Sequence, residues 1–148
     1  GMSESSKSLV LTAAPADGVS LFIGMGDKAG ASVNTGTDLT TLGGTYTTGA
    51  ITAGLQLTNL DLAAVNSDQD RYHGAVSFAV NENMSVSFGM STIEFEGTTK
   101  VDQEDAGFAI SYTMGSMTVA AFANSSDNVG GTNGTDDSVK EISIAFAF

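Results

Sequence analysis

The sequence predicts an all-β protein, an antiparallel up-and-down (meander) β-barrel of about 8–9 strands. Three observations lead there. Apolar residues alternate with small or polar ones along most of the chain, short connections alternate with long ones, and no stretch sustains the i, i+3, i+4 spacing of a helix. One proline and 18 glycines among 148 residues favour a turn-rich β domain. With 41% hydrophobic residues the chain is not expected to be disordered.

Nine segments carry the alternation. In chain order they are 9–14, 19–25, 38–48, 51–58, 72–80, 84–90, 108–112, 117–123 and 142–148. The last is the clearest, because Ile142, Ile144, Phe146 and Phe148 alternate with small residues and the chain ends on an aromatic. Successive side chains of a strand point to opposite faces, so each segment has one apolar face and one small or polar face.

The connections between these segments alternate in length. The short ones are 15–18, 47–50, 81–83 and 114–116, and the long ones are 27–37, 61–70, 95–104 and 124–138. Tight turns at one end and long loops at the other are typical of outer-membrane barrels. Strands of about 9–11 residues are also long enough to cross a bilayer. Alternation alone leaves a second possibility open, a soluble barrel or sandwich with the apolar face turned inward.

The composition excludes several classes of function. The net charge is −12, and the fixed cations are few, which argues against binding DNA or RNA. They are Lys7, Lys28, Arg71, Lys100 and Lys140. The absence of cysteine excludes disulfides, a thiolate nucleophile and a Cys-ligated zinc site.

Two parts of the chain are distinguished at its start. Gly1 before Met2 indicates an expression scar, and residues 1–7 lack the apolar region of a signal peptide. We expect residues 1–7 to be this scar with a disordered tail, and residues 8–148 to be a single β-barrel domain.

A series of motifs in the second half suggests a family. Gly107 to Tyr112 is followed by a short turn, then by Thr118 to Phe122, an acidic Asn/Gly-rich loop, and Ile142 to Phe148. This order resembles the C-terminal half of a bacterial outer-membrane porin, nearest to the alphaproteobacterial general-porin type. The resemblance covers about the last half of the chain. The family's constriction loop lies in its N-terminal half, so no residue of it is carried over.

The resemblance implies a fragment of a 16-stranded barrel, the size class of porins. Alternatively, 8–14 is a tail and 19–148 is a complete eight-stranded barrel. It further implies passive diffusion of small hydrophilic solutes across the Gram-negative outer membrane, contact with outer-membrane lipid, a homo-oligomer, and no catalysis or cofactor. An acidic loop mouth would favour cations.

Two other classes remain alternatives. One is a soluble β-barrel or sandwich that acts as a binding or adhesion module through its long acidic loops. The other is an autotransporter translocator barrel, although no helix that would precede such a barrel is visible. An enzyme is least expected: His73 is the single histidine, and we expect it at a rim or interface. Glu94 and Glu96 are also expected at the rim.

Two further features carry predictions. The loop from Asp127 to Asp137 offers oxygen ligands for calcium through Asp127, Asp136 and Asp137. The loop lacks EF-hand spacing, and a flexible solvated loop is the favoured interpretation. The tyrosines at 46, 72 and 112 lie near strand ends, where they would supply part of an aromatic girdle at the membrane interface.

Overall fold

A computed structural model describes residues 5–29 and 36–147 of the chain, and within them nine strands follow one another. They are β1 (Ser5–Ala16), β2 (Val19–Ala29), β3 (Thr37–Thr48), β4 (Ile51–Leu62), β5 (Gln69–Asn81), β6 (Met84–Phe95), β7 (Gln103–Met114), β8 (Met117–Asp127) and β9 (Asp137–Phe146). Each strand pairs antiparallel with the next in chain order, so they form one meandering sheet. The predicted all-β meander is confirmed. The described part contains no helix long and apolar enough to span a membrane.

The short connections are tight hairpins. Gly18 adopts a φ of 75°, a conformation that glycine adopts without steric cost, and its carbonyl accepts a hydrogen bond of 2.8 Å from the Thr47 amide. A Cβ at this position would collide with the Thr47 carbonyl. The same 2.8 Å contact recurs between Ala50 and Ala79, between Asn83 and Thr113, and between Ser116 and Ala147. Each of the first three turns is therefore hydrogen-bonded to the strand that pairs with the second strand of its hairpin. The fourth is bonded to Ala147, directly after β9.

The N-terminal strand corrects one sequence-based alternative. Residues 8–14 are not a tail, because β1 pairs with β2 through partners such as Leu9 with Met25 and Leu11 with Ile23. The strand begins at Ser5, so residues 5–7 join the sheet rather than the expected tail. Residues 1–4, 30–35 and Phe148 lie outside the described residues, and with them the chain's terminal aromatic.

The two faces of the sheet differ in polarity and in exposure. Along β4, residues alternate strictly between exposed and half-buried, and the exposed set includes Ile51, Leu55 and Leu57. Leu55 is 72% exposed, and no large apolar residue among those described is buried. The soluble alternative requires the apolar face to be packed inward. The structure shows the opposite arrangement.

The edges of the described sheet are β1 and β9. All odd-numbered strands run from the long loops toward the tight turns, so β1 and β9 point in the same direction. Pairing these two edges directly would create a parallel ladder in an otherwise antiparallel sheet. The complete eight-stranded barrel of 19–148 is therefore wrong, because β1 belongs to the sheet and the nine described strands leave edges that cannot pair antiparallel.

Candidate functional site: the inner face of the sheet

Directly opposite residues of antiparallel strands share one face, so the register assigns every strand residue to a face. We call the face with Leu55 the outer face and the face with Gln56 the inner face. Large apolar residues spread over the outer face across the whole sheet. They include Leu9, Leu11, Leu21, Leu42, Leu57, Val76, Phe88, Phe108, Ile142 and Ile144. This apolar band is much larger than the scattered apolar residues that water-exposed surfaces normally carry.

Aromatic residues border the apolar band on the side of the tight turns. Tyr46, Phe78, Tyr112 and Phe146 lie on the outer face near the ends of β3, β5, β7 and β9, and each is at least 42% exposed. Tyr72 lies on the same face toward the long loops. Aromatic girdles of this kind flank the lipid-facing band of outer-membrane barrels. Tyr46, Tyr72 and Tyr112 thus occupy the face on which a girdle is expected.

Acidic residues border the same band on the side of the long loops. We call them the acidic collar: Asp27, Asp38, Asp61, Asp70, Glu94, Glu104 and Asp127. Asp27, Asp38 and Asp61 are directly opposite one another on β2, β3 and β4. Like charges in this position repel each other, and only water screens them effectively. The collar therefore indicates the level at which the surroundings of the outer face change from apolar to aqueous.

Glu94 and Glu96 do not form a pair on one strand face. Glu94 belongs to the acidic collar, but β6 ends at Phe95. Glu96 lies beyond the strand, and its amide donates to the Asp68 carbonyl at 2.9 Å. No paired-carboxylate site results from this spacing.

The inner face carries a polar row that crosses five strands. Gln56, His73, Ser91, Asp105 and Ser126 are directly opposite one another from β4 to β8. The Asp105 carboxylate accepts from Ser91 Oγ at 2.8 Å and from Gln103 Nε2 at 2.9 Å. This row places hydrogen-bonding groups side by side across the inner face.

A row of small residues lies next to the polar row, one step toward the tight turns. Gly54, Ala75, Gly89 and Gly107 are directly opposite one another on β4 to β7. Above them lies a groove of about 560 Å³ whose lining comes from seven consecutive strands, β2 to β8. One groove can be lined by so many strands only if the sheet is concave on its inner face. The small row is the floor of this groove.

The strand boundaries move His73 away from its expected place. The sequence predicts a strand from residue 72 and so places His73 at the rim, whereas β5 begins at Gln69. His73 lies inside the sheet, opposite Gln56 and Ser91, and lines the groove. Arg71 lies on the same face two residues earlier, and its Nη2 donates to Gln69 Oε1 at 2.7 Å. Its Nε is shielded from solvent and has no hydrogen-bond partner among the described residues.

The loop between β8 and β9 folds back over the inner face. Lys100 Nζ donates to the Gly130 carbonyl at 2.6 Å, and the Gly130 amide donates to Gln103 Oε1 at 2.9 Å. Gly131 is buried, and a Cβ there would lie 2.8 Å from the ring of Phe95, an inner-face residue. We call residues 128–136 the strap. These contacts connect the strap to β6, to β7 and to the loop between them.

The three predicted calcium ligands do not converge. Asp127 lies on the outer face opposite Glu104, whereas Asp137 lies on the inner face opposite Ser126. Asp136 accepts from the Asn128 amide at 3.2 Å, and Asp137 from the Ser138 amide at 2.8 Å. Among the residues that the structure describes, no group of three or more acidic, histidine or cysteine side chains is arranged to hold a metal ion.

Comparison with solved structures identifies the fold. The chain is similar to NanC porin with a TM-score of 0.69 and 11% identity, covering 98% of this chain and 79% of that one. It is similar to a mutant of the Rh. blastica porin with a TM-score of 0.69 and 18% identity, covering 97% and 46%. It is also similar to the outer-membrane expressed OmpT of Vibrio cholerae, with a TM-score of 0.74 and 17% identity, covering 97% of this chain and 56% of that one. No family model and no curated protein matches the sequence.

These similarities, together with the polarity of the two faces, define a porin-type β-barrel sheet. The predicted resemblance to a porin is confirmed at the level of fold. The chain spans about half the length of the Rh. blastica and Vibrio cholerae proteins. The alphaproteobacterial type and the C-terminal position stay predictions.

Proposed function

We propose that this chain forms part of the wall of a diffusion channel in the Gram-negative outer membrane. The outer face contacts lipid, the inner face lines a water-filled lumen, and small hydrophilic solutes cross without chemistry. No cofactor takes part. The assembly is a homo-oligomer, as in the porins that the sequence resembles.

The observation that supports this function is the polarity of the two faces. The exposed outer face is apolar over the middle of the strands, and its strand carboxylates are confined to the long-loop side. In lipid this arrangement is favourable, because a charged side chain at the bilayer mid-plane costs about 2–4 kcal/mol. In water the same face would lose about 25 cal/mol for each Å² of apolar surface left exposed.

The direction of the edge strands supports a larger barrel. Because β1 and β9 point the same way, antiparallel closure requires an odd number of additional strands between them. Seven more strands would give about sixteen, a size at which barrels leave an aqueous channel. The small residues of the groove floor also suit a wide lumen, because a narrow barrel fills its interior with side chains.

Reconstitution tests the proposal. The 148-residue chain, produced in cells with an added secretion signal, is expected to fractionate with the outer membrane. Fused to seven further barrel strands that close its edges and added in detergent to a planar lipid bilayer, it is expected to produce discrete conductance steps. Heat-denatured protein at the same detergent concentration is the control. A water-soluble protein that neither associates with membranes nor conducts would contradict the proposal.

A further inference from the structure

We propose that the groove on the inner face binds a neutral saccharide, which rests on the ring of Phe22 and forms hydrogen bonds with the polar row. The inference rests on the proposed channel function and names a class of solute that the inner wall recognises. Phe22, Gln56, His73 and Ser91 all line the same groove of about 560 Å³, a volume in the range of small-molecule pockets. These residues lie on β2, β4, β5 and β6, so the site does not depend on the two edge strands.

Phe22 extends the polar row by an aromatic ring. It lies directly opposite Gly43, which in turn lies directly opposite Gln56, so the three residues form one row across β2, β3 and β4. A Cβ built on Gly43 would lie 2.4 and 2.6 Å from two carbons of the Phe22 ring. Because Gly43 has no side chain, the ring reaches across β3 and Gly43 is buried. The half-buried ring borders the groove beside Gln56.

The side chains that follow this ring in the row have hydrogen-bonding groups available. Gln56 donates from Nε2 to Thr58 Oγ1 at 3.2 Å, and its Oε1 accepts from no other described residue. The imidazole of His73 is exposed and forms no hydrogen bond with another described residue. Ser91 Oγ donates to Asp105 at 2.8 Å and keeps its capacity to accept. The row therefore offers both donors and acceptors to a ligand.

The charges of the groove favour a neutral ligand. Among the described residues that line it, Asp105 is the single carboxylate, and there is no lysine or arginine. Its oxygens accept from Ser91 Oγ and from Gln103 Nε2 at 2.8 and 2.9 Å, and it interacts with Ser126 and electrostatically with His73. The carboxylate is thus already engaged by the wall. A charged ligand would find no free opposite charge, whereas a ligand with hydroxyl groups would find partners.

A pyranose ring matches both kinds of surface. Its ring C–H groups form an apolar face of slight positive charge, which is attracted to the negative face of an aromatic ring such as Phe22. Its hydroxyl groups both donate and accept, as a row of mixed donors and acceptors requires. Gln56 and His73 lie one and two strands from Gly43, which corresponds to about 5 and 10 Å. Two linked sugar rings can follow the row over this distance.

The groove floor leaves room for the second ring. Gly54, Ala75 and Gly89 are directly opposite one another beside the polar row. A Cβ built on Gly89 meets nothing closer than 3.6 Å, so the space above it is open. A larger side chain at this position would occupy the space that the ligand needs.

The single histidine gives a direct readout of binding. The chain is labelled with ¹⁵N-histidine, refolded in a detergent without a sugar headgroup and titrated with cellobiose, a β-linked disaccharide with apolar C–H ring faces. Sorbitol, which carries hydroxyl groups on an open chain and has no ring face, is the control ligand. We expect saturable shifts of the His73 imidazole signals with cellobiose and none with sorbitol at equal hydroxyl concentration.

Substitution of the aromatic ring tests its role against a matched control. Phe22→Ala is expected to weaken cellobiose binding about fivefold, because it removes the aromatic face. Phe122→Ala makes the same change on the inner face of β8, outside the groove lining, and is expected to leave the affinity unchanged. Gly89→Val fills the floor while Phe22 stays in place, and it is expected to weaken binding also if Phe22→Ala does not fold. Circular dichroism and heat-modifiable migration on gels report the fold of each variant.

Three results would overturn the site: no saturable shift in the refolded protein, equal shifts with sorbitol, or equal affinities of the variants at 22 and 122. Conductance of the chain fused to seven closing strands separates this inference from the channel function. A fusion that conducts while the refolded chain ignores cellobiose overturns the site and leaves the channel. A chain that binds cellobiose and never conducts in the fusion overturns the channel and leaves the site.

Discussion

At the scale of single residues, neighbours in sequence have opposite environments. Leu55 and Gln56 are adjacent near the middle of β4, yet Leu55 belongs to the apolar band and Gln56 to the polar row. Gln56 Nε2 donates to Thr58 Oγ1 at 3.2 Å, so polar contacts run along the inner face of the same strand. Substitutions at adjacent positions of β4 therefore test which face of the sheet is apolar in its surroundings and which is polar.

A lysine at each of these two positions should have unequal effects. We expect Leu55→Lys to lower the free energy of unfolding in lipid vesicles by about 2–4 kcal/mol, the cost of a charge near the bilayer mid-plane. Gln56→Lys should change it by less than about 1 kcal/mol, because its side chain faces water. Denaturant titration of the vesicle-inserted protein measures both. Equal costs at the two positions would contradict the assignment of the faces.

His73 shows why the candidate site was not predicted from the sequence. A strand is recognisable by alternation only where apolar residues alternate with polar ones. Gln69, Asp70 and Arg71 are all polar, so the pattern does not show that β5 has begun. The pattern therefore predicts the start of β5 three residues late, at residue 72, and places His73 at the rim. The row that joins His73 to Ser91 and Asp105 depends on the register of three strands. Spacing within one strand carries no information about that register.

At the scale of elements, the strands and tight turns were predicted well and the strand ends were not. The alternation of β4 was detected to residue 58, whereas the strand continues to Leu62. Asn59 and Asp61 keep their positions on the outer face, but the face is no longer apolar there. Backbone pairing continues beyond the apolar band, and a pattern of hydrophobicity cannot show it.

The long-range contacts of the strap are the other feature that the sequence pattern does not show. Its glycine- and asparagine-rich composition favoured a flexible loop. The structure instead holds it by contacts with residues distant in sequence: Lys100 with Gly130, Gln103 with Gly130, and Asn128 Nδ2 with the Asp102 carbonyl at 3.1 Å. These partners lie about 26 to 30 residues away, and only the folded sheet brings them together.

Gly131 should be the position on which the order of the strap depends. It has a φ of 70°, and a Cβ there would meet Phe95 and Lys100 at 2.8 and 2.9 Å. Gly134 has a similar φ of 72° with open space around it, so it is a matched control. We expect Gly131→Ala to be cleaved within the strap by limited proteolysis about tenfold faster than Gly134→Ala, a ratio that corresponds to about 1.4 kcal/mol. Equal rates would mean that the strap does not pack on Phe95.

At the scale of the whole molecule, the sheet has no core of its own. The described residues include no buried large apolar side chain, so stability has to come from what covers the outer face and from what completes the edges. Lipid fills the first role in the proposed channel and additional strands fill the second. An exposed pair of strand edges otherwise invites pairing between molecules.

The distribution of charge also differs from the sequence-based view. The acidic loops indicated a mouth that favours cations, but the register places seven of the carboxylates in the collar on the outer face. Inner-face charges are fewer and of both signs: Lys28, Arg71, Asp105, Asp137 and Glu141. Cation preference stays a prediction, and the charge of the inner wall gives it less support than the net charge does.

The most direct test of the central claim is cysteine accessibility along β4 in a lipid bilayer. The chain has no cysteine, so each single substitution from position 51 to position 58 reports its own environment. With a charged, water-soluble thiol reagent, we expect rapid labelling at the inner-face positions 52, 54, 56 and 58, and protection at the outer-face positions 51, 53, 55 and 57. Uniform labelling, or protection of the inner set, would contradict an apolar face in lipid and a polar face in water.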